Sequence, residues 1–154
     1  FTLIELLVVV AIIGILASVG VVAYNGYTGA AKASATKAIH AQSVKIISAE
    51  AKLCTVGSGE ILAKGPLKLT CVSDAQVLAT SIATHIGSDG LVDSLSDKNP
   101  YDNSSAAVKI GFTPQVFTQG IVWVRADGSH ISVETCFQNP CGDDDILKNK
   151  ISLE

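Results

Sequence analysis

A chain of 154 residues is long enough for one ordinary domain, provided most of it joins a single core. With 11 Lys and Arg against 14 Asp and Glu, a formal net charge of −3, it lacks the broad basic surface that phosphate neutralisation requires, so nucleic acid is not an expected partner. The 48% hydrophobic content is unevenly spread: apolar residues crowd the front, and the chain after Leu53 reads as an ordinary soluble domain rich in Ser, Thr, Asp and Gly.

The chain starts at Phe1 and holds no Met, which leads us to expect a leader cut away ahead of Phe1. Ordinary secretory cleavage would remove the apolar stretch as well; here that stretch follows the new terminus and is kept. From Leu6 to Ala31 no side chain is charged, and from Leu6 to Ala23 nearly every residue is Leu, Val, Ile, Ala or Gly. About 20 such residues in a helix cross a hydrocarbon core of about 30 Å, so a membrane span is expected. Tyr24 and Tyr27 close it, where amphipathic rings suit a membrane interface. Lys32, Lys37, Lys45 and Lys52 come next, placed to meet anionic lipid headgroups.

Glu5 is the informative departure from this pattern. A carboxylate costs roughly 2.5 to 3.5 kcal/mol at a bilayer centre and less toward the interface, so something should compensate it. Thr2-Leu3-Ile4-Glu5 reads as a capping box, with Thr2 as N-cap and Glu5 at N3 on the positive end of the helix dipole. A second reading pairs Glu5 with the α-amino group of Phe1 in a neighbouring chain. The two are compatible.

No Pro interrupts residues 1–53, which allows one continuous helix of roughly 80 Å at about 1.5 Å per residue. Its front half is expected to protrude. Beyond Ala31 the pattern becomes amphipathic: Ala35, Ala38, Ile39, Ile46, Ala49 and Leu53 share one uncharged arc, which the spacing predicts as the buried face. Ala33, Val44, Ile47 and Ala51 form a second apolar patch. We therefore divide the chain into a long helix over 1–53 (1–27 spanning, 28–53 packed on the head) and a globular head over 54–154.

In the head, Ser73 followed by Gln76 is a capping-box pattern that opens a helix from Asp74 to Ile86, closed by Gly87. Residues 90–105 are polar and turn-rich, with Asn99-Pro100 as a breaker. Three strand-like runs follow, Ala106 to Phe112, Gly120 to Ala126 and Ser129 to Cys136, the last two joined by the hairpin signal Asp127-Gly128. The charged segment from Asp143 to Glu154 reads as an edge strand or a tail. The expected fold class is α+β: a long helix packed on a small antiparallel sheet.

Cys54, Cys71, Cys136 and Cys141 show no CxxC knuckle and no His at zinc-finger spacing, so disulfides in an oxidising compartment are expected and metal is not. Of three connectivities, the nearest-neighbour one brackets a plausible turn each time. Cys54–Cys71 would staple the intervening loop to the helix and stabilise the head by ~3 kcal/mol in the chain-entropy model. Asp93, Asp97, Asp102 and Asp143-Asp144-Asp145 lack the alternating oxygen ligands of a dedicated calcium loop and read as solvated acids. His40, His85 and His130 share no spacing, so no catalytic site, metal or cofactor is expected. Asn103-Ser104-Ser105 fits a glycosylation triplet only in letters.

The run Phe1-Thr2-Leu3-Ile4-Glu5-Leu6-Leu7-Val8-Val9-Val10-Ala11-Ile12-Ile13-Gly14-Ile15-Leu16-Ala17 closely resembles the start of mature type IV pilins, a motif shared with type II secretion pseudopilins. The resemblance covers roughly the first thirty residues. It implies a leader removed by a dedicated prepilin peptidase, methylation of the Phe1 amine, and Glu5 complementing the Phe1 amine of an adjacent subunit. Assembly machinery would draw subunits from an inner-membrane pool, in contact with its lipid, into a homopolymer of identical subunits on the bacterial surface. Many similar pilins carry Pro where this chain has Val22, and the helix loosens there in the filament; here Gly14 and Gly20 are the positions that would mark such a segment. A disulfide near the C-terminus that borders an exposed variable region is also implied, at Cys136 and Cys141. Asn99-Pro100-Tyr101 faintly resembles the calcium-loop region of major pseudopilins. Electron conduction through Phe1, Tyr24 and Tyr27 is disfavoured by an aromatic content of 5%.

The leading expectation is thus a structural, non-enzymatic major pilin serving adhesion, twitching or DNA uptake. A pseudopilin or minor pilin is the runner-up. A single-span membrane-anchored binding module comes third, since a plain anchor gains nothing from Glu5.

Overall fold

The computed structural model describes residues 2–57, 59–61, 69–71, 74–87, 98–110 and 117–153. Two compact units make it up, Phe1–Ala31 and Lys32–Glu154. Helix α1 runs over Leu3–Thr55 without a break, as expected of a sequence with no Pro and few polar side chains to compete for its backbone.

In the second unit the elements after α1 are β1 (Glu60–Ile61), β2 (Leu69–Thr70), α2 (Ala75–Gly87), β3 (Val108–Ile110), β4 (Val122–Asp127), β5 (His130–Cys136) and β6 (Ile146–Ser152). Strands β1 and β2 pair antiparallel; the other four form one sheet in the order β3-β4-β5-β6. This mixed sheet beside a long helix is an α+β fold. One detail departs from the all-antiparallel expectation: β3 lies parallel to β4, with Val108 opposite Val122. Residues 111–121 separate the two, too many for a tight hairpin and about the length a parallel crossover needs.

The β4–β5 hairpin turns through Gly128 and Ser129, with Asp127 opposite His130. Gly128 has φ +63°, the left-handed backbone that both primed two-residue turns require at this position. Segment 146–152 is a full edge strand, pairing with β5 from His130–Ser152 to Cys136–Ile146. Its outward Lys148 and Lys150 are the charges that keep an open edge from recruiting other strands.

Helix α2 starts one residue later than the sequence suggested. Asp74 caps it: its Oδ1 accepts from the amides of Gln76 (2.9 Å) and Val77 (3.0 Å). Ser73, the cap expected from the capping-box pattern, lies outside the described residues.

One core fills the second unit, built from Ile47 and Ala51 of α1, Leu78, Ala79 and Ile82 of α2, and Val108, Val122, Val124, Ile131, Val133, Ile151 and Leu153 of the sheet region. The buried face of α1 is Thr36, His40, Ser43, Ile47 and Ala51, spaced four, three, four and four residues apart. This corrects part of the face read from hydropathy: Ala35, Ala38, Ala49 and Leu53 are exposed, Ile39 and Ile46 are half-buried against the core, and Ile47 and Ala51 of the second patch lie within it. Thr36, His40 and Ser43 count as polar in any hydropathy pattern, yet each is satisfied internally. The Thr36 hydroxyl donates to the Lys32 carbonyl and that of Ser43 to the Ile39 carbonyl, both at 2.9 Å.

Candidate assembly site

At the start of α1 the capping box is formed in both directions. The Thr2 amide donates to Glu5 Oε2 at 2.7 Å, and the Glu5 amide to Thr2 Oγ1 at 3.4 Å. The Glu5 carboxylate therefore occupies the N-terminal end of the helix, where first-turn amides have no helical acceptor and the dipole favours negative charge. Phe1 lies outside the described residues, and with it the Glu5–Phe1 pairing.

From Leu3 to Tyr27 every large apolar side chain of α1 is exposed, from 47% at Val9 to 85% at Leu3. Even the small polar groups of this segment turn inward on their own backbone: Ser18 Oγ donates to the Ile15 carbonyl at 2.8 Å and Thr28 Oγ1 to that of Asn25 at 3.0 Å. The result is a helix long and apolar enough to cross a membrane, with an outer surface that offers hydrocarbon and little else. A Cβ at Gly14 or Gly20 would meet no atom within 4 Å, so no close packing inside this chain requires glycine there.

Residues 1–21 match the family model of the prokaryotic N-terminal methylation motif. The chain carries the type IV pilin and pseudopilin signature. No curated protein and no solved structure gives a match. The signature implies processing by a prepilin peptidase, and it is of a structural kind typically without enzymatic activity.

The rest of this pilin-like chain braces the half of α1 that lies in the second unit. Disulfides join Cys54 to Cys71 and Cys136 to Cys141, each to its nearest neighbour in sequence. The first ties the last turn of α1 across the β1–β2 segment; the second closes the loop after β5. Two lysines of α1 reach aromatic faces on the head: Lys37 Nζ lies 3.9 Å from the Phe137 ring centroid and Lys32 Nζ 5.7 Å from that of Tyr101. The Tyr101 hydroxyl donates to the Phe137 carbonyl at 2.8 Å, so the loop at 99–105 and the disulfide loop are fastened to each other. Burial holds the Tyr101 phenol above its ordinary pKa.

Gly120 is the pivot of this arrangement. It has φ +81°, its amide donates to the Cys136 carbonyl at 2.9 Å, and a Cβ there would run into Asn99 Oδ1 and come within 2.7 Å of the Tyr101 ring. Asn99 is buried, giving Nδ2 to the Gln119 carbonyl and accepting from the Tyr101 amide at 2.9 Å. Asn99-Pro100-Tyr101 thus acts as a structural clasp.

The acidic candidates behave as local structure. Asp102 accepts from the Ser104 hydroxyl and amide, which hold its carboxyl below the usual range. Asp127 is lowered by Lys150, 3.1 Å away, and Asp143 pairs with Lys148 at 3.1 Å. Among the described residues no group of His, Cys, Asp and Glu is placed to hold a metal ion; Asp93 and Asp97 lie outside them. Sequence reasoning named Tyr101 only within a faint calcium-loop resemblance and gave Phe137 and Gly120 no role. The aromatics carried a signal, since large rings in otherwise polar turns need a surface to cover.

Proposed function

We propose that this chain is the major subunit of a type IV pilus: it is held in the inner membrane by α1 and then polymerises with identical copies into a surface filament. The observation that carries the reading is the exposed apolar surface from Leu3 to Tyr27 with a carboxylate at its start. In lipid such a helix is already solvated, and transfer into a bundle of like helices gains little hydrophobic energy. Packing and polar pairs must therefore favour the filament. Glu5 supplies the polar pair, with the Phe1 amine of a neighbouring subunit as its partner, and so sets the register of assembly. Gly14 and Gly20, each weakening a helix by ~1 kcal/mol relative to Ala, give α1 the places where it loosens to fit. The Cys136–Cys141 loop bounds an exposed region of the head.

Electron microscopy of fibres sheared from the surface, with mass spectrometry of their subunit, tests the assignment. The expected result is a filament dominated by this chain with a methylated Phe1. A fibre in which the chain is a trace component would move it to the pseudopilins or minor pilins.

A further inference from the structure

His40 lies on the buried face of α1, 4% exposed. Both ring nitrogens reach the sheet: Nδ1 is 2.8 Å from Thr135 Oγ1 on β5, and Nε2 is 2.8 Å from Asn149 Oδ1 on β6. An amide oxygen only accepts, so these partners assign the proton to Nε2, and Nδ1 accepts from the Thr135 hydroxyl. One neutral ring therefore joins a helix to two strands with both nitrogens satisfied.

We propose that His40, set between Thr135 and Asn149, is an acid-released latch that fastens α1 to the β5–β6 hairpin. The neutral ring fits the site as it stands. A protonated ring must donate from both nitrogens, which forces the Thr135 hydroxyl to reverse and leaves its proton without the acceptor it now has. It must also be charged on a ring only 4% exposed, between buried Thr135 and the exposed Asn149, with no counter-ion among the described residues.

Among the described residues the surroundings supply none. The residues of β5 that share the core face are Ile131, Val133 and Thr135, and their partners on β6 are Ile151, Asn149 and Leu147, all uncharged. Glu134, Lys148 and Lys150 alternate to the opposite face, where Glu134 meets Arg125, Lys148 meets Asp143 and Lys150 meets Asp127. On α1 the nearest charge along the helix is Lys37, a cation engaged on Phe137. Asp74 of α2 is exposed and caps its own helix; the His85 side chain is outside the described residues.

Burial accordingly lowers the proton affinity of His40 below the ordinary value of 6.5, a shift the Asn149 hydrogen bond only partly offsets. The sign follows: the opened chain binds a proton near pH 6.5, while the latched chain resists until lower pH. The latch is fully effective above about pH 6.5 and weakens as pH falls, with the opening constant rising by up to about tenfold per pH unit. The device belongs to the subunit whether the filament is a pilus or a pseudopilus.

The test is hydrogen exchange of the β5 and β6 amides in the whole chain in detergent micelles, between pH 7.5 and 5.0, after correction for intrinsic exchange. All samples carry His130→Gln, so that His40 is the histidine under test at the hairpin. In the parent, the opening constant should rise severalfold or more between pH 6.5 and 5.0. His40→Gln should flatten that rise. Asn149→Asp places a carboxylate opposite Nε2, raises the ring's proton affinity, and should abolish or invert the acid loosening; it decides the matter even where His40→Gln fails to fold. A flat profile in the parent, or an Asn149→Asp profile that loosens in acid as the parent does, overturns the proposal.

Discussion

The two halves of helix α1 share one backbone geometry and opposite surfaces. Between Leu3 and Tyr27 the large apolar side chains are exposed, and the hydroxyls of Ser18 and, just past this stretch, Thr28 are spent on their own helix. Between Lys32 and Thr55 the buried stripe begins with Thr36, His40 and Ser43, polar residues, and only then reaches Ile47 and Ala51. Hydropathy thus reports the solvent a helix meets rather than the face it buries. The first half presents hydrocarbon to whatever surrounds it. The second is built for one particular sheet, whose Thr135 and Asn149 complete its hydrogen bonds.

Paired truncations give the sharpest test of that contrast. Ile47 is fully buried, so Ile47→Ala should cost the head about 2 to 5 kcal/mol, read as a lowered midpoint of urea unfolding in detergent. Ile13→Ala, which removes the same atoms from an exposed site, should leave that midpoint unchanged. Equal effects would erase the distinction between the halves.

The disulfides come next in size. Replacing both Cys54 and Cys71 by Ser opens a loop with a sequence separation of 17, against 5 for Cys136 and Cys141. The chain-entropy estimate is about 3 kcal/mol for the first pair and about 2 for the second. Thermal unfolding of the two double variants under one set of conditions checks the order. Smallest is Asp74→Ala, which removes the cap of α2 and should cost about 1 kcal/mol. The same measurement on Thr2→Ala, whose cap sits in the exposed half, should leave the head's unfolding unmoved.

Local chemistry made much of this readable. The unbroken apolar run, the Thr2–Glu5 box and the hairpin signal at Asp127-Gly128 each depend on residues within a few positions of one another, and each appears in the structure, the hairpin with its turn one residue on at Gly128 and Ser129. What stayed hidden depends on distance along the chain. The partners of His40 are 95 and 109 residues away, so nothing near it marks Thr36, His40 and Ser43 as buried. The parallel setting of β3 follows from a crossover, which strand periodicity does not encode. Strands β1 and β2, two residues each, are too short to leave a pattern. The methylation motif was the most legible feature, because it is a contiguous string that a processing enzyme reads directly.

We propose that the Glu5 carboxylate, besides capping its own helix, serves assembly and leaves the head's stability untouched. Fibre yield from cells carrying Glu5→Ala, measured beside the unfolding midpoint of the purified variant in detergent, tests it most directly. The expected result is a fall in yield of at least tenfold with an unchanged midpoint. Fibres at the normal yield would contradict it.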